Sequence, residues 1–237
     1  MQRYFARVNE KEVILKEDDI FHLTKVMRAR VNDNIEVVDE NHKSYLSVIK
    51  STNPLIIEVQ EPILKNSELD SEVTLFFGLA KSDKNEFVIQ KATELGAKKI
   101  ILFQAKRSVV KFSKEDFNKK LPRYMSIAKE ASEQCHREYI PEIKFASSIK
   151  EIKNDLCELN LFAYELSAGK VNELDSLLDK KYQSISVIIG PEGGFDNQEA
   201  EFLINEGFKN ISLGKRILRC ETAAIYALSV IAFNLEK

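Results

Sequence analysis

Two glycine-containing segments carry the residues best suited to binding a ligand. The first, Ile188-Ile-Gly-Pro-Glu-Gly-Gly-Phe, follows an apolar run and precedes a helix that Asp196 is expected to open. Glycine lets the backbone turn tightly and lets a ligand approach without a Cβ in the way. The spacing of Gly190, Gly193 and Gly194 matches neither the dinucleotide-binding pattern nor the phosphate-binding P-loop. The segment therefore indicates a ligand loop of another kind, with a tight strand-to-helix turn as the alternative interpretation.

The second segment, Leu213-Gly-Lys-Arg-Ile-Leu-Arg-Cys-Glu-Thr-Ala, also lies between an expected strand and an expected helix. It places three cations within five positions, ending at Arg219, and sets Glu221 at the helix start. Free backbone amides at a helix N-terminus and nearby arginines suit an anionic ligand or a nucleic-acid phosphate. Alternatively, Thr222 is a plain N-cap and the charged groups form only an ion-pair network.

Basic and hydroxyl side chains follow two earlier strands, at Lys81-Ser-Asp-Lys and Lys106-Arg-Ser-Val-Val-Lys. Such side chains on strand-end loops are typical phosphate contacts.

The whole chain has a net charge of −2, but residues 78–150 carry 16 basic and 9 acidic residues. This asymmetry favours a polyanion-binding face, with solvated lysine-rich helix faces as the alternative.

Composition excludes several classes of protein. The chain has 237 residues, 44% of them hydrophobic and 30% charged, as is usual for a soluble globular protein. The apolar stretches Ser184–Gly190 and Ala223–Phe233 are too short or too interrupted to span a bilayer, and no signal peptide is evident. The widely spaced Cys135, Cys157 and Cys220 argue against a disulfide framework and a zinc site. We therefore expect a cytoplasmic protein with no membrane partner and no metal.

Residues 1–70 are expected to form a small β-rich domain. Alternating or β-branched runs predict three strands, at Ile35–Asp39, Ser44–Ile49 and Leu55–Val59. One helix is predicted near Asp18–Met27, with Asp18 or Asp19 as its cap. Several short strands in so few residues predict a compact β-barrel or sandwich, and the polar stretch Pro62–Glu72 predicts a linker.

Residues 73–237 are expected to form an α/β domain with a mainly parallel sheet, because continuous apolar strands alternate with helical patterns. The predicted strands are Val73–Phe77, Ile100–Phe103, Leu161–Tyr164, Ser186–Ile189 and Ile211–Leu213. The predicted helices are Asn85–Leu95, Lys114–Cys135, Asp196–Glu206 and Thr222–Leu235. Ligands of such sheets bind at the carboxyl ends of the strands, where both glycine segments must lie.

Taken together, these motifs resemble the bacterial 16S ribosomal RNA uridine N3-methyltransferases, the RsmE family of the SPOUT class. The two glycine segments carry the resemblance, together with Gln90-Lys-Ala-Thr-Glu-Leu-Gly, Glu130-Ala-x-Glu-Gln-x-x-Arg and Lys106-Arg-Ser. Arg3-Tyr-Phe and His22-Leu-x-x-Val-Met-Arg fit the small N-terminal domain of that family. The resemblance runs nearly end to end, although Cys220 stands where the family commonly has threonine or another small residue.

The resemblance implies a trefoil-knotted α/β domain over residues 73–237 and a PUA-like, RNA-binding β-barrel over residues 1–70. It implies a homodimer that uses S-adenosylmethionine to methylate 16S rRNA of the small ribosomal subunit. The cofactor-binding residues would be Leu166, Ile189, Gly190, Glu192, Gly193, Gly194, Leu213, Gly214, Ile217, Leu218, Thr222 and Ala223. The RNA-binding residues would be Arg3, Arg28, Lys81, Lys106, Arg107 and Arg137.

A chemical argument assigns the catalytic groups. Uridine N3 carries a proton with a pKa well above neutrality, so methylation needs a base or a cation that stabilises the anion. Arg219 is the candidate cation, and Glu221 is a candidate to orient it or to accept the proton. Two alternatives remain open: a SPOUT enzyme that methylates a ribose 2′-oxygen or another base, and a non-catalytic RNA-binding assembly factor.

Overall fold

The structure is a computed structural model that describes residues 1–164 and 172–237. The chain forms two compact units: Met1–Glu68 together with Ser132–Tyr139, and Leu69–Ala131 together with Ile140–Lys237. The segment Ser132–Tyr139, which the sequence places in the second domain, thus packs with the first unit.

Six strands form the sheet of the first unit. They are β1 (Arg3–Phe5), β2 (Arg7–Asn9), β3 (Glu12–Ile14), β4 (Asn34–Val38), β5 (Ser44–Thr52) and β6 (Leu55–Ile63). Their spatial order is β1-β4-β5-β6-β3-β2, with β1 parallel to β4 and the other pairs antiparallel. The edge strands β1 and β2 are separated along the chain by Ala6 alone. Because two peptide steps span only about 7.6 Å, the two edges must meet, and the sheet curls into a barrel as predicted.

The interior of this barrel is filled by apolar side chains from most of its strands and from the helical segment. The residues are Tyr4, Ala6, Val13, Leu15, Leu23, Ile35, Val37, Ile49 and Ile57. The predicted helix is present as α1 (Glu17–Phe21), which continues as a π-helical turn over His22–Val26. Its predicted cap is wrong, because Lys16 occupies the N-cap position without a side-chain hydrogen bond. Asp18 and Asp19 lie in the first turn, where negative charge favours the helix dipole.

Over the described residues, seven strands form the sheet of the second unit. They are β7 (Glu72–Gly78), β8 (Ala97–Phe103), β9 (Glu142–Ala146), β10 (Leu159–Ala163), β11 (Asn172–Glu173), β12 (Ser184–Ile189) and β13 (Lys209–Ser212). The order is β11-β13-β10-β12-β7-β8-β9, and all of these pairings are parallel. The predicted parallel α/β architecture is confirmed, with β9 and β11 as strands that the sequence did not predict.

Helices cover both faces of this sheet. They are α2 (Ser82–Glu94), α3 (Lys114–Gln134), α4 (Leu174–Leu177), α5 (Asn197–Asn205) and α6 (Cys220–Leu235), with a 3₁₀ turn over Ile149–Asp155. Leu75 and Phe77 of β7 pack into one core with Leu228 of α6, while Phe76 packs into the opposite core with Leu203 of α5. Because successive strand residues point to opposite faces, this double burial explains the continuous apolar run of β7.

Over the described residues, no helix has both the length and the apolar character needed to cross a membrane. The predicted trefoil knot remains a prediction.

For the site, the important feature of the fold is that β10, β12 and β13 are neighbouring strands that run in the same direction. Their carboxyl ends therefore meet at one edge of the sheet, and so do the two glycine segments that follow β12 and β13.

Candidate functional site

A cavity of about 900 Å³ lies in the second unit at the carboxyl ends of β10, β12 and β13. Its wall consists of the loop Gly190–Phe195, the loop Leu213–Arg219, the start of α6, and single side chains from other segments. Small-molecule sites commonly have volumes of about 300–1,000 Å³. The two segments that the sequence singled out as ligand loops therefore enclose one cavity of suitable size.

Glycines in and beside the first loop answer different requirements, two of them a lack of room for a Cβ and one a left-handed backbone. A Cβ on Gly78, at the end of β7, would lie 2.5 Å from the nitrogen of Pro191. A Cβ on Gly193 would lie 2.8 Å from both the Cβ and the carbonyl oxygen of Arg107. The Arg107 guanidinium also donates a hydrogen bond to the Gly193 carbonyl at 3.3 Å. Gly194 has a different requirement, because its φ of +66° favours glycine.

A capping box fixes the far end of this loop. Asp196 is the N-cap of α5 and accepts a hydrogen bond from the Glu199 amide at 2.7 Å, while its own amide donates to Glu199 at 2.9 Å. The buried Glu199 also accepts from the Lys106 amide at 2.8 Å. The Lys106 ammonium lies 2.7 Å from Asp196, and this hydrogen bond is the main cause of the lowered pKa of Asp196. The loop after β8 is thereby tied to the glycine loop.

The second loop turns at Gly214, whose φ is +102°, and ends at Arg219. Arg219 is the N-cap residue of α6 and makes no side-chain cap hydrogen bond. Since α6 begins at Cys220, Thr222 lies inside its first turn, and the alternative interpretation of Thr222 as the N-cap is wrong. The side chain of Arg219 lines the cavity and is exposed, so it is available to a ligand.

An ion-pair cluster joins the two loops through a residue that belongs to neither. The Lys84 ammonium, from the first turn of α2, lies 3.2 Å from a Glu192 carboxylate oxygen and 3.2 Å from a Glu221 carboxylate oxygen. The Cys220 thiol lies 3.2 Å from the same Glu221 oxygen, to which it donates. Glu221 thus belongs to an ion-pair network, but the cation of this network is Lys84 of α2 and not an arginine of the second loop.

The pKa values of Glu221, Lys84 and Cys220 are shifted by their surroundings in the cluster. Burial by itself raises the pKa of Glu221, but hydrogen bonds from its own amide, Cys220 and Lys84 outweigh burial and lower it. Burial by itself lowers the pKa of Lys84, but Glu221 and Glu192 outweigh burial and raise it. Burial and the adjacent Glu221 raise the pKa of Cys220 to about 12. The Cys220 thiol is therefore protonated at neutral pH and unsuited to act as a nucleophile.

Most of the predicted cofactor-binding residues lie in the wall of the cavity. They are Ile189, Gly190, Glu192, Gly193, Gly194, Leu213, Gly214, Ile217, Leu218 and Ala223. Thr222 is exposed on α6 and is not part of the described wall, and Leu166 lies outside the described residues. Of the two predicted catalytic groups, Arg219 lines the cavity, and Glu221 contacts the cavity residue Lys84.

The predicted RNA-binding residues fall into two groups. Lys81 is exposed at the N-cap position of α2, and Arg107 lines the cavity. Lys106 is exposed beside Arg107, and Arg28 is exposed in the first unit. In contrast, the Arg3 and Arg137 side chains are 4% and 3% exposed, and they pair with Glu36 at 2.8 Å and Glu68 at 2.6 Å. The guanidinium groups of Arg3 and Arg137 therefore form buried ion pairs within the first unit.

Some residues of the wall were not predicted from the sequence. Lys84 lies in the Lys81-Ser-Asp-Lys segment, whose position after a strand was the available signal. Tyr164 directly follows β10, and Phe195 closes the first glycine loop. Within the described residues, no cluster of histidine, cysteine, aspartate and glutamate side chains has the arrangement of a metal site.

Comparison with known proteins places the chain in a family. A model described as an RNA methyltransferase domain matches residues 67–232, and a model described as an RNA methyltransferase PUA domain matches residues 15–61. The chain is 34% identical to ribosomal RNA small subunit methyltransferase E of Bacillus subtilis (strain 168), across 100% of this chain and 98% of that protein. It is 35% identical to the protein of the same name from Mesomycoplasma hyopneumoniae (strain 232), across 97% of this chain and 98% of that protein.

A solved structure gives the same result. The crystal structure of ribosomal RNA small subunit methyltransferase E from Neisseria gonorrhoeae bound to S-adenosyl methionine matches with a TM-score of 0.84 and 27% identity. The match covers 97% of this chain and 95% of that chain. Since both family models, the full-length relatives and this structure agree, the chain belongs to the ribosomal RNA small subunit methyltransferase E family, the RsmE family of RNA methyltransferases.

Proposed function

We propose that this protein transfers a methyl group from S-adenosylmethionine to N3 of a uridine near the 3′ end of 16S rRNA. One observation carries the proposal: the two glycine loops, with Arg219 and the Lys84 cluster, enclose a single cavity. The chain also aligns over its full length with a relative named ribosomal RNA small subunit methyltransferase E. The proposed partner is therefore 16S rRNA, free or within the small ribosomal subunit.

The cavity fits the cofactor in shape and chemistry. Aliphatic side chains can hold an adenine ring between them, and the glycine backbones leave amides and carbonyls free of a covering Cβ. The residues that would hold the nucleoside are Ile189, Gly190, Gly193, Leu213, Gly214, Leu218 and Ala223. When bound, S-adenosylmethionine supplies a methyl group that its sulfonium charge has already activated.

The protein's own task is to make uridine N3 nucleophilic. Loss of the N3 proton leaves an anion shared with O2 and O4, and a cation held nearby stabilises it. Arg219 is placed for this role, because its side chain is exposed in the wall of the cavity. The lowered pKa of Glu221 makes its carboxylate a weak base, and its contacts with Lys84 and Cys220 hold it in place. These observations favour a positioning role for Glu221 over proton acceptance.

RNA would reach this site over the basic surface of the second unit. Lys81 and Arg107 are exposed near the cavity or in its wall, and both are suited to phosphate contacts. Lys106 would contribute through its position beside Arg107, and Arg28 would contribute from the first unit. We further propose that the protein acts in the cytoplasm as a homodimer, and sedimentation of the purified protein tests the homodimer.

The deciding experiment identifies the product. Purified protein is incubated with S-adenosylmethionine and with 16S rRNA or small subunits that lack the modification, and the digested nucleosides are separated by mass spectrometry. The proposal expects 3-methyluridine, at one position near the 3′ end of the RNA. A variant with Arg219 replaced by alanine serves as the control, because it retains the cofactor pocket and lacks the proposed catalytic cation.

Other products would support the two alternatives. A 2′-O-methylated nucleoside, or a different methylated base, would identify an RNA methyltransferase with another target atom. Tight binding of RNA with no methylated nucleoside under any condition would identify a non-catalytic RNA-binding factor. Either result would overturn the proposed reaction.

A further inference from the structure

Lys84 connects parts of the site that are far apart in the sequence. It belongs to α2, whereas Glu192 belongs to the loop after β12 and Glu221 to the first turn of α6. Its ammonium lies 3.2 Å from an oxygen of each carboxylate. These two oxygens therefore cannot be farther apart than twice that distance, and a single ammonium occupies the space between them.

The three side chains are partly shielded from water. The exposed fractions are 23% for Lys84, 27% for Glu192 and 15% for Glu221. Two carboxylates this close would raise each other's pKa if no cation lay between them, because a like charge disfavours ionisation. At Glu221 the ammonium outweighs this effect, since the pKa of Glu221 is lowered and that of Lys84 is raised. The ammonium thus compensates for both burial and repulsion.

Other charged and titratable groups surround the cluster. Lys215, Arg216 and Arg219 from the second loop and Arg107 from the loop after β8 line the same cavity, as does Tyr164. Lys81 at the N-cap of α2 and Asp83 and Glu86 on α2 are close to Lys84 in sequence, and Glu86 pairs with Arg123. Cys220 of α6 contacts Glu221. Among the described ion pairs, those of Glu192 and Glu221 are both made with Lys84.

Resting on the proposed function, we propose that Lys84 is a positioning residue of the methyltransferase site. Its ammonium pairs with both carboxylates and holds the first glycine loop, which carries Glu192, and the start of α6, which carries Glu221, at a fixed separation. Both segments form the cofactor wall, so a change in their separation alters the pocket. The ion pairs of Lys84 among the described residues are those with Glu192 and Glu221, and it acts through these two carboxylates.

The first test measures the affinity for S-adenosylmethionine by calorimetry at several pH values. The range is from about pH 5.5 to about pH 8.5, over which an ordinary carboxyl group is ionised. The variants are Lys84→Met, Lys84→Arg and the double variant Lys84→Met with Glu221→Gln. We expect Lys84→Met to bind S-adenosylmethionine about tenfold more weakly at the alkaline end, and to recover part of this loss at the acidic end. Lys84→Arg should remain within about threefold of the unchanged protein throughout, because it retains a cation between the two carboxylates. The double variant should bind more tightly than Lys84→Met at the alkaline end, because it leaves one uncompensated carboxylate instead of two.

The second test needs no cofactor. Thermal unfolding of the free protein is followed over the same pH range for the unchanged protein and for Lys84→Met. In the unchanged protein the lowered pKa of Glu221 means that its contribution to stability is present above the ordinary carboxyl pKa and is lost in acid. In Lys84→Met the remaining carboxylates repel each other, so its melting temperature should fall as the pH rises. The gap between the two proteins should therefore widen with pH.

Lys91→Met is the matched control. Lys91 also lies on α2 and also pairs with a carboxylate, Glu94 at 2.7 Å, but it bridges no loops of the site. It should leave cofactor affinity unchanged at every pH. Equal and pH-independent losses in Lys84→Met and Lys84→Arg would overturn the proposal, as would unchanged affinity in Lys84→Met. If the unchanged protein bound no S-adenosylmethionine, the proposed function would fail, and the unfolding experiment would still decide the role of Lys84.

Discussion

At Gly193 a glycine is required by space rather than by backbone conformation. A Cβ there would lie 2.8 Å from the Cβ and the carbonyl oxygen of Arg107, which is closer than real contacts allow. Gly207 presents the opposite situation, because its φ is +85° and a Cβ would meet nothing within 4 Å. Comparing the two positions separates crowding in the pocket from simple backbone strain.

Gly193→Ala is expected to weaken S-adenosylmethionine binding by about tenfold or more, because the loop must move away from Arg107 to admit the methyl group. Gly207→Ala should lower the free energy of unfolding by about 1–2 kcal/mol, the cost of a left-handed non-glycine residue, and leave binding unchanged. Calorimetry and urea unfolding measure the two effects. Normal affinity in Gly193→Ala would remove this loop from the cofactor pocket.

Arg219 is the residue on which the proposed chemistry depends. Arg219→Ala should reduce the single-turnover rate of methylation by about 10²–10³-fold, since it removes a preorganised stabiliser of the uridine anion. Cofactor affinity should stay near that of the unchanged protein. Arg219→Lys retains a positive charge and should recover part of the rate. An Arg219→Ala protein with a full single-turnover rate would contradict the catalytic role.

At the scale of elements, the beginning of α5 holds the first glycine loop in place. The capping box between Asp196 and Glu199 satisfies free amides of the helix, and Lys106 adds an ion pair from the loop after β8. This arrangement couples the stability of a helix end to the position of a ligand loop. The sequence signal for it, Asp196-x-x-Glu199, lies within four residues and is readily recognised.

Asp196→Ala should lower the free energy of unfolding by about 1 kcal/mol at neutral pH, as expected for loss of an N-cap. Because Lys106 lowers the pKa of Asp196, this contribution is present above the ordinary carboxyl pKa and is lost as the pH falls through the lower, folded-state value. Urea unfolding at neutral and acidic pH should therefore show the variant and the unchanged protein converging in acid. Asp196→Asn retains a capping oxygen and should lose less, and a pH-independent difference would contradict this account.

At the scale of the whole molecule, the chain returns to its first unit after more than half its length. Ser132–Tyr139 belongs to that unit, where the His136 ring nitrogen lies 2.7 Å from Glu36 and the Arg137 guanidinium lies 2.6 Å from Glu68. Glu68 also accepts a hydrogen bond from the Glu138 amide at 2.9 Å. Buried charge pairing thus fastens a segment distant in sequence to the N-terminal barrel.

Arg137→Met should lower the free energy of unfolding by about 3–5 kcal/mol, because it leaves the largely buried Glu68 without its guanidinium partner. Adding Glu68→Gln should recover part of this loss, since the glutamine retains an oxygen for the Glu138 amide and carries no charge. Urea unfolding of the two single variants and the double variant measures the coupling. Strictly additive losses would show that the pair contributes nothing beyond its separate side chains.

The basic middle of the chain is predicted to bind RNA. Arg107→Glu should weaken RNA binding and reduce the dependence of affinity on salt, because fewer counterions are released per complex. Lys98→Glu is the control, since Lys98 lies at the amino end of β8, away from the cavity, and pairs with Glu72. Filter binding at several salt concentrations measures both. An unchanged salt dependence in Arg107→Glu would indicate a solvated lysine- and arginine-rich face instead.

Much of the fold was predictable because its signals are local. The apolar run Val73–Phe77 and the Gly96 that ends the next helix identify a buried strand and a helix boundary without any tertiary information. The strand β9 was missed, because Glu142-Ile-Lys-Phe-Ala is short and mixes charged with apolar residues. The capping of α1 was also missed, since the local preference for aspartate at an N-cap did not decide where that helix begins.

By itself the sequence determined the parallel α/β architecture, the two glycine loops and the family resemblance, since glycine spacing and hydrophobic periodicity act over a few residues. Only the tertiary structure decided which charged groups meet. Lys84 joins Glu192 and Glu221, and Arg137 turns into the first unit instead of toward solvent. Charge pairing depends on distances between segments that are far apart along the chain. These distances are determined only when the sheet forms and its strand order brings the segments together.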